Sequence, residues 1–136
     1  MKKIFFIHLC IYTLLNASND YELKLFETIL PSIFKQQPIT VYLDNDMSLL
    51  LQDSVKFKIV QSCNSSVVIL IGKNFNNLST ECKNKPIFAT SYRDYKNDNS
   101  FGAFYWRKGR PQLKFKRAVL KRYNLVLPDN LQRYKQ

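Results

Sequence analysis

The sequence predicts a small α/β domain with a mostly parallel central sheet, flanking helices and a C-terminal antiparallel hairpin. Three observations indicate this class. A stripe of apolar residues at helical spacing occurs near the N-terminus, several short β-branched or aliphatic runs alternate with helical or polar segments, and two short arms flank a glycine-containing turn late in the chain. Alternation of strands and helices is typical of layered α/β folds. We expect residues 19–136 to form one domain with one core.

The first half of the chain predicts two helices and two strands. Apolar residues recur every three to five positions over residues 21–34, which is the pattern of an amphipathic helix. Pro31 is expected to shorten or kink the last turn of this helix. The elements that follow are a strand over residues 39–43, an Asp44-Asn45-Asp46 cap that leads into a short helix over 47–52, and a strand over 55–61.

The middle of the chain predicts the centre of the sheet. Residues 67–71 are five consecutive aliphatic residues without alternation, which is typical of a parallel strand with both faces buried. A polar connection over 74–82 leaves room for a helical turn, and residues 86–91 predict the fourth strand. Residues 92–100 are rich in Asn and Asp and predict a loop.

The C-terminal part predicts a hairpin followed by two short helices. The arms 103–107 and 112–116 flank a turn in which Gly109 can adopt positive φ. In the second arm Leu113 and Phe115 point one way, and the polar residues between and beside them point the other. The last elements are a helix over 118–123 and a helix over 128–134 with proline in its first turn.

The N-terminal segment has the layout of a secretory signal peptide over residues 1–18. Two lysines precede a mostly apolar run over 4–15 and a polar step with Ala17 and Ser18. The run is shorter than the roughly 20 apolar residues that span a bilayer, so a retained anchor or core helix is the weaker alternative. We therefore expect a secreted, periplasmic chain that does not span the membrane after cleavage.

The residue types that remain argue against catalysis. His8 is the only histidine of the chain and lies inside the apolar run, so the cleaved protein would lack the commonest general base and metal ligand. The three glycines form no phosphate-binding loop or dinucleotide fingerprint. The sequence thus predicts a protein that is not an enzyme and that uses neither a cofactor nor a metal.

Two cysteines remain after cleavage, Cys63 and Cys82, and each precedes an apolar run. If those runs are neighbouring parallel strands joined by a crossover, both cysteines lie near the same edge of the sheet, where a bridge is geometrically possible. An oxidising compartment would preserve such a bond. We expect a Cys63–Cys82 disulfide; two free buried thiols are the alternative.

The formal net charge of +11 is concentrated in the C-terminal part of the chain. Residues 101–136 contain ten Lys or Arg and one acid, Asp129, whereas residues 19–100 contain nine of each sign. Such a local field attracts an acidic partner or an anionic ligand. The candidate contact residues are Trp106, Arg107, Lys108, Arg110, Lys114, Lys116 and Arg117.

This basic tract has two other interpretations. Phe104 and Trp106 could simply pack under the terminal helix while the cations remain solvated. Interleaved aromatic and basic residues are also found on single-strand nucleic-acid platforms. The secretory signal and the lack of a recognisable nucleic-acid-binding module argue against that use.

Asp44 and Asp46 follow the first predicted strand, at the carboxyl end where α/β sheets commonly bind ligands. Paired carboxylates there form a candidate ligand cleft. A helix cap explains the same two residues without a ligand and is the simpler interpretation.

The order of these segments resembles the YfiR-like periplasmic family over about residues 21–134. The segments that carry the resemblance are the opening helix, Ile39-Thr-Val-Tyr-Leu-Asp44, Cys63 before residues 67–71, Lys85-Pro-Ile-Phe-Ala-Thr-Ser91, a hairpin led by Gly102 with Gly109-Arg110 at its turn, Leu113-Lys-Phe-Lys116, and a leucine-bearing terminal helix. Members of that family are small secreted regulators of membrane-bound diguanylate cyclases. The resemblance implies a non-catalytic protein that docks on the periplasmic part of a membrane signalling protein.

A fragment related to ABC-transporter substrate-binding proteins would show similar strands. That second resemblance implies a small periplasmic solute-binding module for an anionic ligand, bound above Leu43 and Asp44 or beside the basic hairpin. It is the alternative function.

Overall fold

The centre of the fold is a six-stranded sheet with the order β2-β1-β3-β4-β5-β6. A computed structural model describes residues 20–43, 51–71 and 78–136. The strands are β1 (Ile39–Leu43), β2 (Phe57–Ile59), β3 (Val68–Ile71), β4 (Ile87–Ala89), β5 (Ser100–Arg107) and β6 (Arg110–Phe115). Neighbouring strands are parallel except β5 and β6, which are antiparallel. The predicted α/β class and its C-terminal hairpin are therefore confirmed.

Short helical segments connect and cover these strands. A helix over residues 20–34, the opening helix, precedes β1 and continues past Pro31. Other helical segments in the described ranges are the α-helices Tyr92–Tyr95 and Arg117–Arg122 and the 3-10 segments Cys63–Ser65, Cys82–Asn84 and Asp129–Tyr134. Among the described residues, no helix combines the length and the apolar character that a membrane crossing requires.

The opening helix packs its apolar stripe on one face of the sheet. The Phe26 ring meets the rings of Phe88 and Phe104 edge-on, at centroid distances of 6.0 and 6.3 Å. Burial of each such side chain contributes roughly 1.5–3 kcal/mol. The buried members of this main core are Phe26, Ile29, Leu30, Ile33, Ile39, Val41, Leu51, Phe57, Val68, Phe88, Phe101, Phe104, Phe115, Val119, Leu120, Leu127 and Leu131.

A bulge between β4 and β5 lets two phenylalanines that are three positions apart reach this core. Ile87 pairs with Ser100 and Phe88 with Gly102, so Phe101 is an extra residue on β5. The extra residue reverses the alternation of side chains between the two faces of the sheet, so both Phe101 and Phe104 join the main core. Ala103 and Tyr105 consequently lie on the other face, with Ala89 and Tyr95.

The disulfide predicted from the sequence is present between Cys63 and Cys82, with a Cα–Cα distance of 5.4 Å. The two cysteines precede β3 and β4, which are paired and parallel, so both lie at the amino ends of adjacent strands. The bridge packs with Ile69 and Ile87 in a small cluster separate from the main core. Its position agrees with the reasoning from strand order.

Several predicted boundaries differ from the structure. The loop predicted over 92–100 contains the helix Tyr92–Tyr95 and the first residue of β5. The second and fourth strands are shorter than predicted, because only Phe57–Ile59 and Ile87–Ala89 complete parallel ladders. The predicted last helix is a 3-10 segment, Asp129–Tyr134.

The hairpin turn is also tighter than predicted. Only Lys108 and Gly109 form it, with φ of 51° and 74°, whereas Arg110 and Pro111 belong to β6. Proline is tolerated there because β6 is an edge strand.

Some expectations fall on residues that the structure does not describe. They are the signal peptide over 1–18, the candidate cleft residues Asp44 and Asp46, and most of the short helix predicted over 47–52.

Candidate binding surface at the carboxyl ends of β4 and β5

An open cavity of about 520 Å³ lies at the carboxyl ends of β4 and β5. The two strands are parallel, so the residues that follow β4 and the last residues of β5 meet at the same edge of the sheet. This is the edge where α/β sheets commonly bind ligands. The cavity, called the tyrosine pocket below, is lined by Thr90, Ser91, Tyr92, Tyr105, Trp106 and Arg107.

Local hydrogen bonds fix Tyr92 at this edge. Ser91 Oγ accepts from the backbone N–H of Asp94 at 3.2 Å and donates to Asp94 Oδ2 at 2.9 Å, which caps the helix Tyr92–Tyr95. Asp94 is buried, and its carbonyl accepts from Ser100 Oγ at 2.8 Å. The helix start is thereby tied to both the end of β4 and the start of β5.

Three cations surround the half-exposed ring of Tyr92. The Nζ atoms of Lys96 and Lys114 lie 4.5 and 5.8 Å from the ring centroid, and Arg107 Cζ lies 6.0 Å from it. Such contacts each contribute about 0.5–1 kcal/mol at exposed sites. The C-cap of the helix, β5 and β6 each supply one of the three charges, so the positive potential of this edge depends on the tertiary fold.

Tyr105 forms the inner wall of the tyrosine pocket. Its side chain is only 5% exposed and its ring centroid lies 5.7 Å from that of Tyr92. Its buried hydroxyl has no hydrogen-bond partner among the described protein atoms. Leaving such a group unpaired costs roughly 1–3 kcal/mol, and native structures rarely do so without a reason.

Trp106 also lines the tyrosine pocket and is 41% exposed. Its ring packs against those of Tyr21 and Phe104 at centroid distances of 5.9 and 5.8 Å, and Nε1 donates to Glu22 Oε1 at 2.8 Å. Tyr21 and Glu22 belong to the opening helix, so Trp106 packs against that helix and not under the terminal helix, as the alternative interpretation had it. One side of the indole is therefore structural, and the other side is accessible.

The hairpin tip carries a second, adjoining cavity of about 430 Å³. Its lining residues are Arg107, Lys108, Arg110 and Gln112, of which the three cations are exposed. Arg107 also lines the tyrosine pocket, so the two cavities share one guanidinium. We call these four residues the hairpin patch.

Two predicted contact residues are engaged elsewhere. Lys116 Nζ donates to the Asn97 carbonyl at 2.7 Å and lies 4.7 Å from the Tyr95 ring centroid. Burial lowers the pKa of Lys116, with the nearby Asp98 opposing that shift. Arg117 lines a different cavity of about 200 Å³ near the C-terminus.

The residues missed by sequence reasoning are Tyr92, Lys96 and Tyr105. Ser91-x-x-Asp94 has the spacing of a capping box, with aspartate in place of the usual Glu or Gln. That spacing was a usable signal for a helix beginning at Tyr92. Nothing in the sequence indicated that Lys96 and Lys114 would both lie close to the ring of Tyr92.

Metal binding finds no support in the part of the chain that the structure describes. Within residues 20–43, 51–71 and 78–136, no group of three or more His, Cys, Asp or Glu is arranged to hold a metal ion.

No protein-family model matches the sequence, and no curated protein matches it either. A crystal structure of a conserved domain protein from Vibrio cholerae O1 biovar El Tor is similar in fold, with a TM-score of 0.56 and 10% sequence identity. The similarity covers 87% of this chain and 59% of the Vibrio chain. At this level of identity the likeness establishes a shared fold, and the sheet and helices described above define the class as a small α/β domain.

Proposed function

We propose that this protein is a non-catalytic, periplasmic binding protein that docks on an acidic surface of a membrane signalling protein such as a diguanylate cyclase. The observation that carries the proposal is the hairpin patch, in which Arg107, Lys108 and Arg110 are exposed around a two-residue turn. The diguanylate cyclase as partner rests on the YfiR-like pattern of the sequence alone.

The shape of the hairpin suits docking on a second protein. Residues Lys108 and Gly109 project from the end of an antiparallel pair, and β6 is the outer strand of the sheet. Trp106 adds an accessible aromatic side to the same end of β5. Tryptophan and arginine are the residue types most enriched among energetically important contacts at interfaces.

Electrostatics supports a charged partner in particular. The hairpin patch and the cations around Tyr92 share Arg107, so their charges add to a single positive field. Such a field raises association rates with acidic surfaces and loses its effect at high salt.

The proposal is tested by reversing Arg107, Lys108 and Arg110 to glutamate. Wild-type and variant proteins are used to capture partners from solubilised inner membrane, and the captured protein is then assayed in purified form. The association rate is expected to fall by at least about tenfold at low salt, with a much weaker dependence on salt concentration.

A matched control reverses Lys24, Lys35 and Lys58 to glutamate, which changes the net charge equally. These three lysines are exposed and lie in or after the opening helix and on β2, the opposite edge strand. The control is expected to keep most of the association rate. Equal losses in both variants would mean that net charge alone matters and would contradict docking through the hairpin.

Export is part of the same proposal and has its own test. The Lys2-Lys3 start, the apolar run and Ala17-Ser18 predict a mature chain that begins near Ser18 or Asn19. Intact-mass measurement on protein recovered from the periplasm checks this. A membrane-integral chain that retains Met1 would contradict it.

A further inference from the structure

We propose that the tyrosine pocket binds a small organic carboxylate, whose acidic group contacts Arg107 and the Tyr105 hydroxyl. This inference concerns a ligand site beside the hairpin patch and does not depend on a protein partner. It rests on three independent features of the pocket: an unpaired buried donor, a guanidinium, and aromatic walls.

The Tyr105 hydroxyl is the feature that points most directly to a ligand. It belongs to a side chain that lines the pocket, yet it is buried and lacks a hydrogen-bond partner among the described protein atoms. Buried polar groups are almost always paired, and an exception calls for a functional explanation. An acceptor oxygen of a bound anion would provide the missing partner after a small shift of the Tyr105 ring, because the hydroxyl is covered in this structure.

Arg107 supplies the charge. The guanidinium lines the pocket and its Cζ lies 6.0 Å from the Tyr92 ring centroid. Arginine presents a planar fork of N–H donors that matches the two oxygens of a carboxylate. Lys96 and Lys114, on the same ring, add to the positive potential at the rim.

The walls select an organic acid over an inorganic anion. Tyr92 and Tyr105 line the pocket with their ring centroids 5.7 Å apart, whereas the Trp106 ring packs on Tyr21 and Phe104 beside it. The pocket volume of about 520 Å³ lies in the range of roughly 300–1,000 Å³ usual for small-molecule sites. Aromatic faces offer contact area to a ring or an alkyl body. A fully hydrated phosphate would leave that surface unused.

Trp106 provides a direct probe of occupancy because it is the only tryptophan of the chain and lines the pocket. Indole fluorescence is titrated with benzoate and with benzyl alcohol, a neutral analogue, at constant ionic strength. A saturable change is expected with benzoate, and at least about tenfold weaker binding with benzyl alcohol, since hydrogen bonds to a charged group contribute more than neutral ones.

Two variants test the named contacts. Arg107→Gln removes the charge from an exposed side chain, and Tyr105→Phe removes only the hydroxyl, so the fold is expected to survive both. Each is expected to weaken benzoate binding by about tenfold. Arg110→Gln is the matched control, because it removes an equal charge from the hairpin patch at a residue that does not line the pocket.

The proposal is overturned if benzoate gives no saturable change, if benzyl alcohol binds equally well, or if Arg110→Gln weakens binding as much as Arg107→Gln. A capped peptide, acetyl-Gly-Glu-Gly-amide, distinguishes the two sources of a carboxylate. Binding of benzoate alone assigns the site to a free organic acid, whereas binding of both probes extends it to an acidic side chain. Because no partner protein enters the assay, its failure leaves the docking proposal standing.

Discussion

The indole N–H of Trp106 donates a hydrogen bond to the Glu22 carboxylate at 2.8 Å, which joins the end of β5 to the opening helix across 84 positions of sequence. The Tyr21 ring packs against the same indole. This contact holds β5 next to the hairpin turn, while the other side of Trp106 remains accessible. A structural role and a binding role of this residue can therefore be separated by experiment.

Replacing Trp106 and Phe104 in turn by alanine separates these roles. Phe104 is 2% exposed in the main core, so Phe104→Ala is expected to lower the free energy of unfolding by about 3–5 kcal/mol. Trp106→Ala is expected to cost about 1–2 kcal/mol, because much of the ring is already solvated. Urea denaturation measures both changes.

Binding is the second measurement on the same pair. Trp106→Ala is expected to weaken partner association well beyond its effect on stability, whereas a variant that binds normally would make the indole purely structural. Trp106→Phe keeps a ring against Tyr21 but loses the hydrogen bond to Glu22, and so isolates that bond.

The disulfide should contribute substantially to stability. Cys63 and Cys82 are 19 positions apart, and closing a loop of that length is expected to stabilise the folded state by about 3 kcal/mol on the chain-entropy estimate. The Cys63→Ser/Cys82→Ser variant should lose this amount in urea denaturation. Dithiothreitol is expected to lower the stability of the wild type and leave the variant unchanged; an equal response of both would argue against a stabilising bridge.

The sheet was predictable because its strands are encoded locally. Val68–Ile71 and Ile87–Ala89 are apolar runs without alternation, which is typical of the interior of a parallel sheet. The disulfide was expected because neighbouring parallel strands would bring the two cysteines that precede them to the same edge of the sheet. The bulge at Phe101 was not predictable, because it depends on how β5 aligns with β4.

The candidate site was predictable only in part. A cluster of cations around an aromatic turn is visible in the sequence, and it indicated Trp106, Arg107, Lys108 and Arg110. The tyrosine pocket was not predictable, because Tyr92 and Tyr105 come together only through the pairing of β4 with β5 and through the Ser91 cap of the helix. Contacts between distant segments leave no periodic signal in the chain.

The two glycines of the hairpin are expected to respond differently to alanine. A Cβ on Gly102 would lie 2.6 Å from Phe115 Cδ1 and 2.9 Å from the Lys114 carbonyl oxygen. The backbone oxygen cannot yield without disturbing the β5–β6 ladder, so Gly102→Ala is expected to cost about 2–3 kcal/mol. A Cβ on Gly109 meets nothing within 4 Å, but φ is +74° there, so Gly109→Ala is expected to cost about 1 kcal/mol.

Thermal or urea unfolding of both glycine variants checks this order. Gly109→Asn is the matched control, since asparagine tolerates positive φ better than alanine and is expected to recover part of the loss. A Gly102→Ala variant as stable as the wild type would mean that the β5–β6 pairing near Phe115 is looser than described.

Alkaline pH should destabilise the protein through its tyrosines. Burial raises the pKa of Tyr95, and the neighbouring Tyr105 and Tyr92 add to that shift; burial also raises the pKa of Tyr123, against the effect of Arg122. The folded state therefore keeps these protons at a pH where the unfolded chain, with tyrosine pKa values near 10, has released them. Their stabilisation is complete below about pH 10 and is lost as the pH rises through the folded pKa values.

Urea midpoints measured from neutral pH to about pH 11 at fixed ionic strength are expected to fall above about pH 10. Tyr95→Phe should flatten that fall while costing about 1 kcal/mol at neutral pH, because its hydroxyl donates to Gln136 Oε1 at 3.2 Å. Lys116→Gln tests a pH dependence of the opposite sign. Because the pKa of Lys116 is lowered in the folded state, this lysine makes the free energy of unfolding rise with pH below the pKa of an unfolded lysine. That rise should disappear in the variant. If Tyr95→Phe leaves the fall of the urea midpoint above about pH 10 unchanged, Tyr95 does not cause that fall, and Tyr123 is left to explain it.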